Sequence, residues 1–390
     1  MKILYVTTIS NTVNHFLVPH IEFLIKQGNE VGLAFNVDVI SRDLQRLGCK
    51  IHEVGFQRSP LKIENYRAIH KLKKVISEEG YELIHVHTPV ASFVARLACR
   101  KNKSVKVLYT AHGFHFFKGA PKRNWMLYYP LEKLAARWTD GIITINEEDY
   151  QSAQKFKFKR QNAVYKAHGV GVDLAKFTPR SFLKIGQLRS HYQFDRNDFI
   201  LISVGELNVG KHQDLLIAAA ALLRNKIPSL RVLIVGDGIL KEKLMGQAYQ
   251  LGIEKHINFL GYREDIPDLM AVSNIAISTS KREGLPVNVM EAMAIGLPLI
   301  VTNVRGNRDL VLDGINGLLI GEDDVEGCAN AIMKLYSSEK LRRNFSQENR
   351  RRITLYSREN VIGEMGEIYK DFLASPKGDM IDIREHSHSV

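Results

Sequence analysis

The chain has 390 residues, of which 45% are hydrophobic and 25% charged, with 28 glycines and 11 prolines. This composition excludes collagen-like, low-complexity and wholly disordered chains, and the length suits two domains of roughly 200 residues. The formal net charge is +12 and lopsided: residues 1–180 carry 28 basic and 15 acidic side chains, residues 181–390 carry 26 and 27, so the field of the first half suits an anionic partner such as nucleic acid, a membrane surface or a phosphorylated ligand.

The first ten residues contain one lysine and no small-residue cleavage site, and read as a strand rather than a leader. Short apolar runs then predict strands over 2–8, 30–35, 50–54, 82–87, 105–110 and 141–145, with helical periodicity over 15–27, 61–79, 89–102 and 124–138. A second series places strands at 199–204, 230–235, 256–260, 274–278, 298–302 and 317–320, alternating with helices near 211–225, 239–251, 264–272, 286–296 and 324–337. Strand and helix in alternation imply parallel sheets flanked by helices, hence an α/β protein. The expected organisation is a Rossmann-like domain over 1–178, a linker over 179–198 containing Pro179, a second Rossmann-like domain over 199–357, a helix over 358–372 packing back on the first domain, and a mobile polar tail over 373–390. Two such domains are expected to face each other across a cleft, with ligands beyond the carboxyl ends of the strands. No run of about 18 apolar residues predicts a membrane-crossing helix. Cys49, Cys99 and Cys328 lack the spacing of a disulfide framework or a thiolate metal site, which fits a reducing cytosol.

The most informative stretch is 281–298, following the apolar strand Asn274–Ser278. Pro286 suits the first position of a helix and Gly296 with Pro298 closes it, so the helix N-terminus falls at the carboxyl edge of the sheet. There the backbone N–H groups of Gly284, Leu285, Val287 and Asn288 are expected to hold a phosphate. Glu283 lies in the loop and Glu291 inside the helix. A carboxylate beside a phosphate site is suited to accepting hydrogen bonds from sugar hydroxyls; on spacing alone, a first-turn glutamate complementing the helix dipole and a solvated helix glutamate are the simpler account of the pair.

This Glu-Gly-Leu-Pro stretch, with Glu283 and Glu291 separated by seven residues, resembles the EX7E motif of the family 4 retaining glycosyltransferases, enzymes of the two-domain GT-B fold that use nucleotide-sugar donors. Ser203–Lys211, Ile234–Gly238, Phe259–Asp265, Thr302–Gly306 and Asp313–Gly317 agree in order and spacing, as do Ile84–His87, Thr110–Gly113, Ile145–Asn146 and Gly169–Asp173. The runs Thr110–Trp125 and Ile143–Tyr150 are more narrowly similar to those of bacterial exopolysaccharide-biosynthesis glycosyltransferases of the EpsD type.

The resemblance implies roles residue by residue. Glu291 would grip the nucleotide ribose, Glu283 the donor sugar, and Lys211 would neutralise the departing diphosphate, which needs fixed positive charge as the glycosidic bond breaks. Gly236 lies in a matching donor-side turn, the Tyr262–Arg263 turn would wall the base, and His112 would approach the donor sugar. No metal and no cofactor are implied; the nucleotide-sugar, expected to be a UDP-sugar, is a substrate. Retention without a carboxylate nucleophile implies same-face attack, with the leaving phosphate helping to deprotonate the acceptor. Three positions depart from the family pattern. Glu206 stands where an arginine is common, leaving Arg282 or Arg305 to help with the diphosphate; Thr7–Asn11 replaces a glycine-rich turn; and His168 stands where asparagine is frequent.

His85, His87, His112 and His115 are set aside as a zinc cluster because no other ligand type has matching spacing and the His85 and His87 side chains are expected on opposite sides of their strand. Phe116 and Phe117 interleave with Lys118, Lys122 and Arg123, and a second such run covers 155–160. These suit an anionic membrane interface, or solvated loops whose aromatics tuck into the core. Nucleic acid is disfavoured, since no reading motif is present. The expected acceptor is a glycan on a polyprenyl diphosphate at the inner face of the cytoplasmic membrane, with the basic half docking the membrane. Two rival readings are a nucleotide-sugar epimerase of the same fold and a degraded nucleotide-sugar-binding protein, the latter suggested by Glu206. Sugar identity, linkage and oligomeric state stay open.

Overall fold

A computed structural model describes residues 1–57 and 62–374. The tail expected to be mobile lies, from residue 375 onward, outside the described residues. Met1–Val170 with the chain from Ile362 onward form one unit, and Gly171–Val361 form another.

The first unit is built on a seven-stranded sheet ordered β3-β2-β1-β4-β5-β6-β7, with β1 Lys2–Ile9, β2 Glu30–Asn36, β3 Lys50–Glu53, β4 Leu83–His87, β5 Lys106–Ala111, β6 Gly141–Thr144 and β7 Val164–Lys166. Every neighbouring pair is parallel. Ile3, Leu4, Tyr5 and Val6 are buried in succession, so both faces of β1 are covered; that is why such strands read as unbroken apolar runs rather than alternating ones. The second unit repeats the plan with six parallel strands ordered β10-β9-β8-β11-β12-β13, namely β8 Phe199–Val204, β9 Leu230–Val235, β10 Ile257–Gly261, β11 Ile275–Ser278, β12 Leu299–Thr302 and β13 Gly317–Ile320. In the first sheet the order reverses between β1 and β4, in the second between β8 and β11. Loops leaving the carboxyl ends of those strands part in opposite directions, opening the crevice in which α/β sheets bind ligands.

The predicted strands coincide with observed ones to within a residue or two. β7 was not predicted, because three residues, none of them fully buried, give no period to read. Residues 179–198, expected as a linker, instead carry a helix over Phe182–His191 whose start is capped by Ser181 Oγ accepting from the Lys184 N–H. Its leading Phe182 and Leu183 are exposed and Leu188 is its one buried side chain, so no apolar stripe marked it in the sequence. The helix Glu339–Arg352 was missed for the same reason, being mostly charged with Phe345 and Asn349 as its buried residues.

The last helix, Arg358–Ala374, sends Met365, Tyr369 and Phe372 into the first unit at helical spacing. Phe372 lies against Gly141 at the start of β6, where a Cβ would come within 2.8 Å of its ring. The Arg160 guanidinium sits 5.0 Å over that ring and donates to the Phe372 carbonyl at 2.6 Å. His168, at the position where the family favours asparagine, holds the same helix: its backbone N–H and Nδ1 meet the two carboxylate oxygens of Glu364 at 3.1 and 2.6 Å.

Candidate active site

In the second unit the chain leaves β11 through buried Ser278, Thr279 and Ser280, passes Glu283, and enters the helix Val287–Ile295. Pro286 is the extended residue capping that helix rather than its first helical residue as expected. The first helical bond runs from the Met290 N–H to the Pro286 carbonyl at 3.2 Å, so the N–H groups of Val287, Asn288 and Val289 have no partner within the helix and mark its positive end. Asn288 Nδ2 donates to the Val204 carbonyl at 2.7 Å, pinning this terminus to the end of β8 across the switch point. Gly296 closes the helix at φ +86°, where a side chain would also press on Ser346 Oγ.

From β8 the chain turns sharply. Gly236, at the end of β9, has φ +135° and approaches Gly205 so closely that a Cβ would lie 2.0 Å from the Gly205 carbonyl oxygen; only glycine permits this. The following loop presents Lys211. Its backbone N–H donates to Asn208 Oδ1 at 3.0 Å, and its carbonyl accepts from Thr279 Oγ1 at 3.1 Å. The neighbouring Gly210 carbonyl accepts from the Lys281 N–H at 2.9 Å. Held between the two loops, Lys211 places Nζ 2.6 Å from Glu283 Oε1, with the side chains 28% and 11% exposed. Arg305, itself buried, donates from Nε to the Glu283 carbonyl at 3.1 Å. Glu291 lies further along the helix, where burial pushes its carboxyl up to about 7 against the opposing pull of Lys176. Gly284 is half-buried and Leu285 buried beside the helix start. Glu206 is exposed. Arg263 chelates Asp265, its Nε to Oδ1 at 2.8 Å and its second guanidinium nitrogen to Oδ2 at 2.5 Å, so its charge is engaged within its own turn.

In the first unit His112 stands one residue past β5. Its Nε2 lies 3.1 Å from Nδ1 of His87, the last residue of β4. His87 packs against both Tyr5 and His85, with ring centroids 5.1 and 4.2 Å away. The expectation that His85 and His87 project to opposite sides is therefore wrong: residues two apart on a strand share a face. His85 in turn meets Tyr369 OH and, through Nε2, Thr110 Oγ1 at 2.7 Å, while Tyr369 OH and Tyr5 OH are 2.8 Å apart. Burial holds His85 and His87 well below the ordinary histidine value and His112 at about 4, with like charge from His20 adding to the effect at His112. Among the described residues no group of three or more histidine, cysteine, aspartate or glutamate side chains is arranged to hold a metal ion. Where a glycine-rich turn was absent from the sequence, Thr8 Oγ1 and Thr88 Oγ1 tie the ends of β1 and β4 together at 2.8 Å.

The aromatic and basic loop divides. Phe116, expected at the acceptor or membrane side, is buried, stacking on Phe114 with ring centroids 4.7 Å apart; an aromatic ring with this much apolar area gains more from the core than from a wet surface. Phe117 is half-buried, whereas Lys118, Lys122 and Arg123 are exposed. The helix Lys122–Ala136 adds Trp125, Met126 and Leu127, which are exposed by 39%, 79% and 41%. The run read from the sequence ends at Trp125, so Met126 and Leu127 lay outside it, although their adjacency to Lys122 and Arg123 was there to be read.

Two parallel Rossmann-like sheets, each with its switch point, are the architecture of the GT-B fold. Among solved structures, Anabaena HepE in complex with UDP superposes with a TM-score of 0.78 over 95% of this chain and 100% of that one, at 21% identity. Residues 2–146 match the family model "Glycosyl transferase 4-like" and residues 185–352 match "Glycosyl transferases group 1". A protein of Bacillus subtilis (strain 168), named as the glycosyltransferase EpsD, is 40% identical over 95% of this chain and 97% of its own. The Escherichia coli UDP-Gal:alpha-D-GlcNAc-diphosphoundecaprenol alpha-1,3-galactosyltransferase is 31% identical over 72% of each chain. The chain belongs to the family 4 glycosyltransferases, with EpsD among its relatives.

Proposed function

We propose that this glycosyltransferase transfers a hexose or N-acetylhexosamine, with retention and without metal or cofactor, from a UDP-sugar to a glycan carried on a polyprenyl diphosphate. The observation that carries the reading is the Lys211–Glu283 pair at 2.6 Å beside the helix terminus at Val287. A lysine held there supplies charge to a leaving diphosphate at no reorganisation cost, while the unpaired helix N–H groups add partial charge of the same sign. Glu283 and Glu291 then accept from donor hydroxyls, and His112 meets the transferring sugar. The activity for which the E. coli relative is named, an alpha transfer from UDP-Gal onto a diphosphoundecaprenol-linked sugar, supports both the donor nucleotide and the acceptor class. The exposed Lys118, Lys122 and Arg123 beside Trp125 and Met126 support peripheral docking at the inner face of the cytoplasmic membrane; no helix among the described residues is long and apolar enough to cross a membrane.

The test is to incubate the purified chain with radiolabelled UDP-sugars, with and without an undecaprenyl-diphosphate-linked acceptor, and to follow label into the lipid phase. Acceptor-dependent transfer forming an alpha bond is expected in the presence of chelator. Conversion of the UDP-sugar to its epimer without acceptor, or UDP-sugar binding with no turnover, would replace the reading.

A further inference from the structure

We propose that His87 is a positioning residue that sets the tautomer and ring rotation of His112, so that His112 meets its ligand as a neutral Nδ1–H donor. This rests on the reading of His112 as a substrate-side residue. Strands β4 and β5 are paired with His87 opposite Thr110, which brings His112, two residues further on, beside the His87 ring. The ring planes are inclined by 28° with centroids 5.3 Å apart, and His87 Nδ1 lies 3.1 Å from His112 Nε2.

Between two neutral imidazoles one nitrogen donates and the other accepts. The second nitrogen of His87 decides which. Nε2 of His87 is buried and meets no hydrogen-bond partner, and a buried N–H left without an acceptor is the rarer and costlier defect than a lone pair left without a donor. The proton of His87 therefore sits on Nδ1, where it has an acceptor in His112 Nε2. With Nε2 accepting, the one proton of neutral His112 is on Nδ1. Contacts with Tyr5 and His85 fix the His87 ring, and burial of the cluster opposes a second proton on any of the three histidines. His112 then offers a hydrogen bond to an oxygen lone pair, such as a sugar hydroxyl oxygen, and does not take a proton at Nδ1.

The test reads the tautomer directly. Long-range 1H–15N correlation spectra of the full chain labelled with 15N-histidine, with the His112 signals assigned by their loss in His112→Gln, should show at neutral pH a pyrrole-type Nδ1 and a pyridine-type Nε2. The reverse pattern, or a doubly protonated ring, would overturn the proposal. In transfer assays, His87→Asn keeps an N–H near the position of Nδ1 and should stay within about 3-fold of wild-type kcat, whereas His87→Leu should lower kcat by about 30-fold or more with donor KM nearly unchanged. Equal loss in the two folded variants would also count against it. If His87→Leu does not fold, the wild-type spectrum decides. Full activity in His112→Gln would remove the substrate-side reading of His112 and leave the tautomer to the spectrum, so the two failures are distinguishable.

Discussion

Lys211 and Glu283 are 72 residues apart in the chain and 2.6 Å apart in the fold. The pair is held by backbone rather than by chance: Thr279 and Lys281, on the loop after β11, bond to the backbone of Lys211 and Gly210. A cation fixed in this way is aimed before any ligand arrives. Lys211→Ala should therefore lower kcat/KM by about 100-fold or more, the effect of removing one fixed group that stabilises a developing negative charge. Glu283→Gln, which keeps the shape and loses the charge, should also reduce turnover strongly. Steady-state transfer rates alongside thermal midpoints measure both; near-wild-type rates in both variants would remove this site from the mechanism.

Glu291 predicts a pH dependence of stability. Its folded value of about 7 exceeds the ordinary 4.5, so the folded chain keeps a proton that the unfolded chain releases between those values. Stability from this group is fully present below pH 4.5 and is lost as pH rises through 7, by at most about 3 kcal/mol. Glu291→Gln removes the penalty: its thermal midpoint should exceed that of wild type at pH 8, and the gap should close toward pH 5. If the carboxylate grips ribose hydroxyls, the same variant should lose roughly tenfold in UDP affinity at pH 8, measured by calorimetry.

Phe372 tests the anchoring of the last helix. The side chain is fully buried against Gly141 and beneath Arg160, so Phe372→Ala should cost about 3–5 kcal/mol through lost transfer energy and a cavity. Denaturant unfolding measures it. A cost below about 1 kcal/mol would mean the helix is not seated as described.

The exposed cations beside Trp125 and Met126 predict lipid binding. Co-sedimentation with vesicles containing anionic lipid should be seen and should weaken with salt. Changing Lys118, Lys122 and Arg123 together to glutamate should reduce partitioning by about two orders of magnitude, on the order of 1 kcal/mol per basic residue removed. Equal retention of the wild-type chain on neutral vesicles would point to apolar insertion instead.

Much of the architecture was legible in the sequence because the signals are local. Strands buried on both faces appear as apolar runs, and twelve of the thirteen strands among the described residues coincide with short apolar runs; β7 was too short to have a period. The spacing of Glu283 and Glu291 around Pro286, and Lys211 in its own loop, are likewise visible in single short stretches. Phe116 shows the limit. A basic, aromatic loop has the same composition whether its rings face lipid or core, and the packing against Phe114, Tyr129 and Phe156 decided the matter for Phe116.

The charge asymmetry, the two alternating series and the order of motifs follow from the sequence by itself, since each depends on residues within a few positions of one another. The bond from Lys211 to Glu283, the contact of His112 with His87, 25 residues away, and the contact of His85 with Tyr369, 284 residues away, were decided only by the tertiary structure. Hydrogen bonds and pKa shifts depend on distance and on exclusion of water, and parallel sheets bring together strand ends that crossover connections hold far apart in the chain.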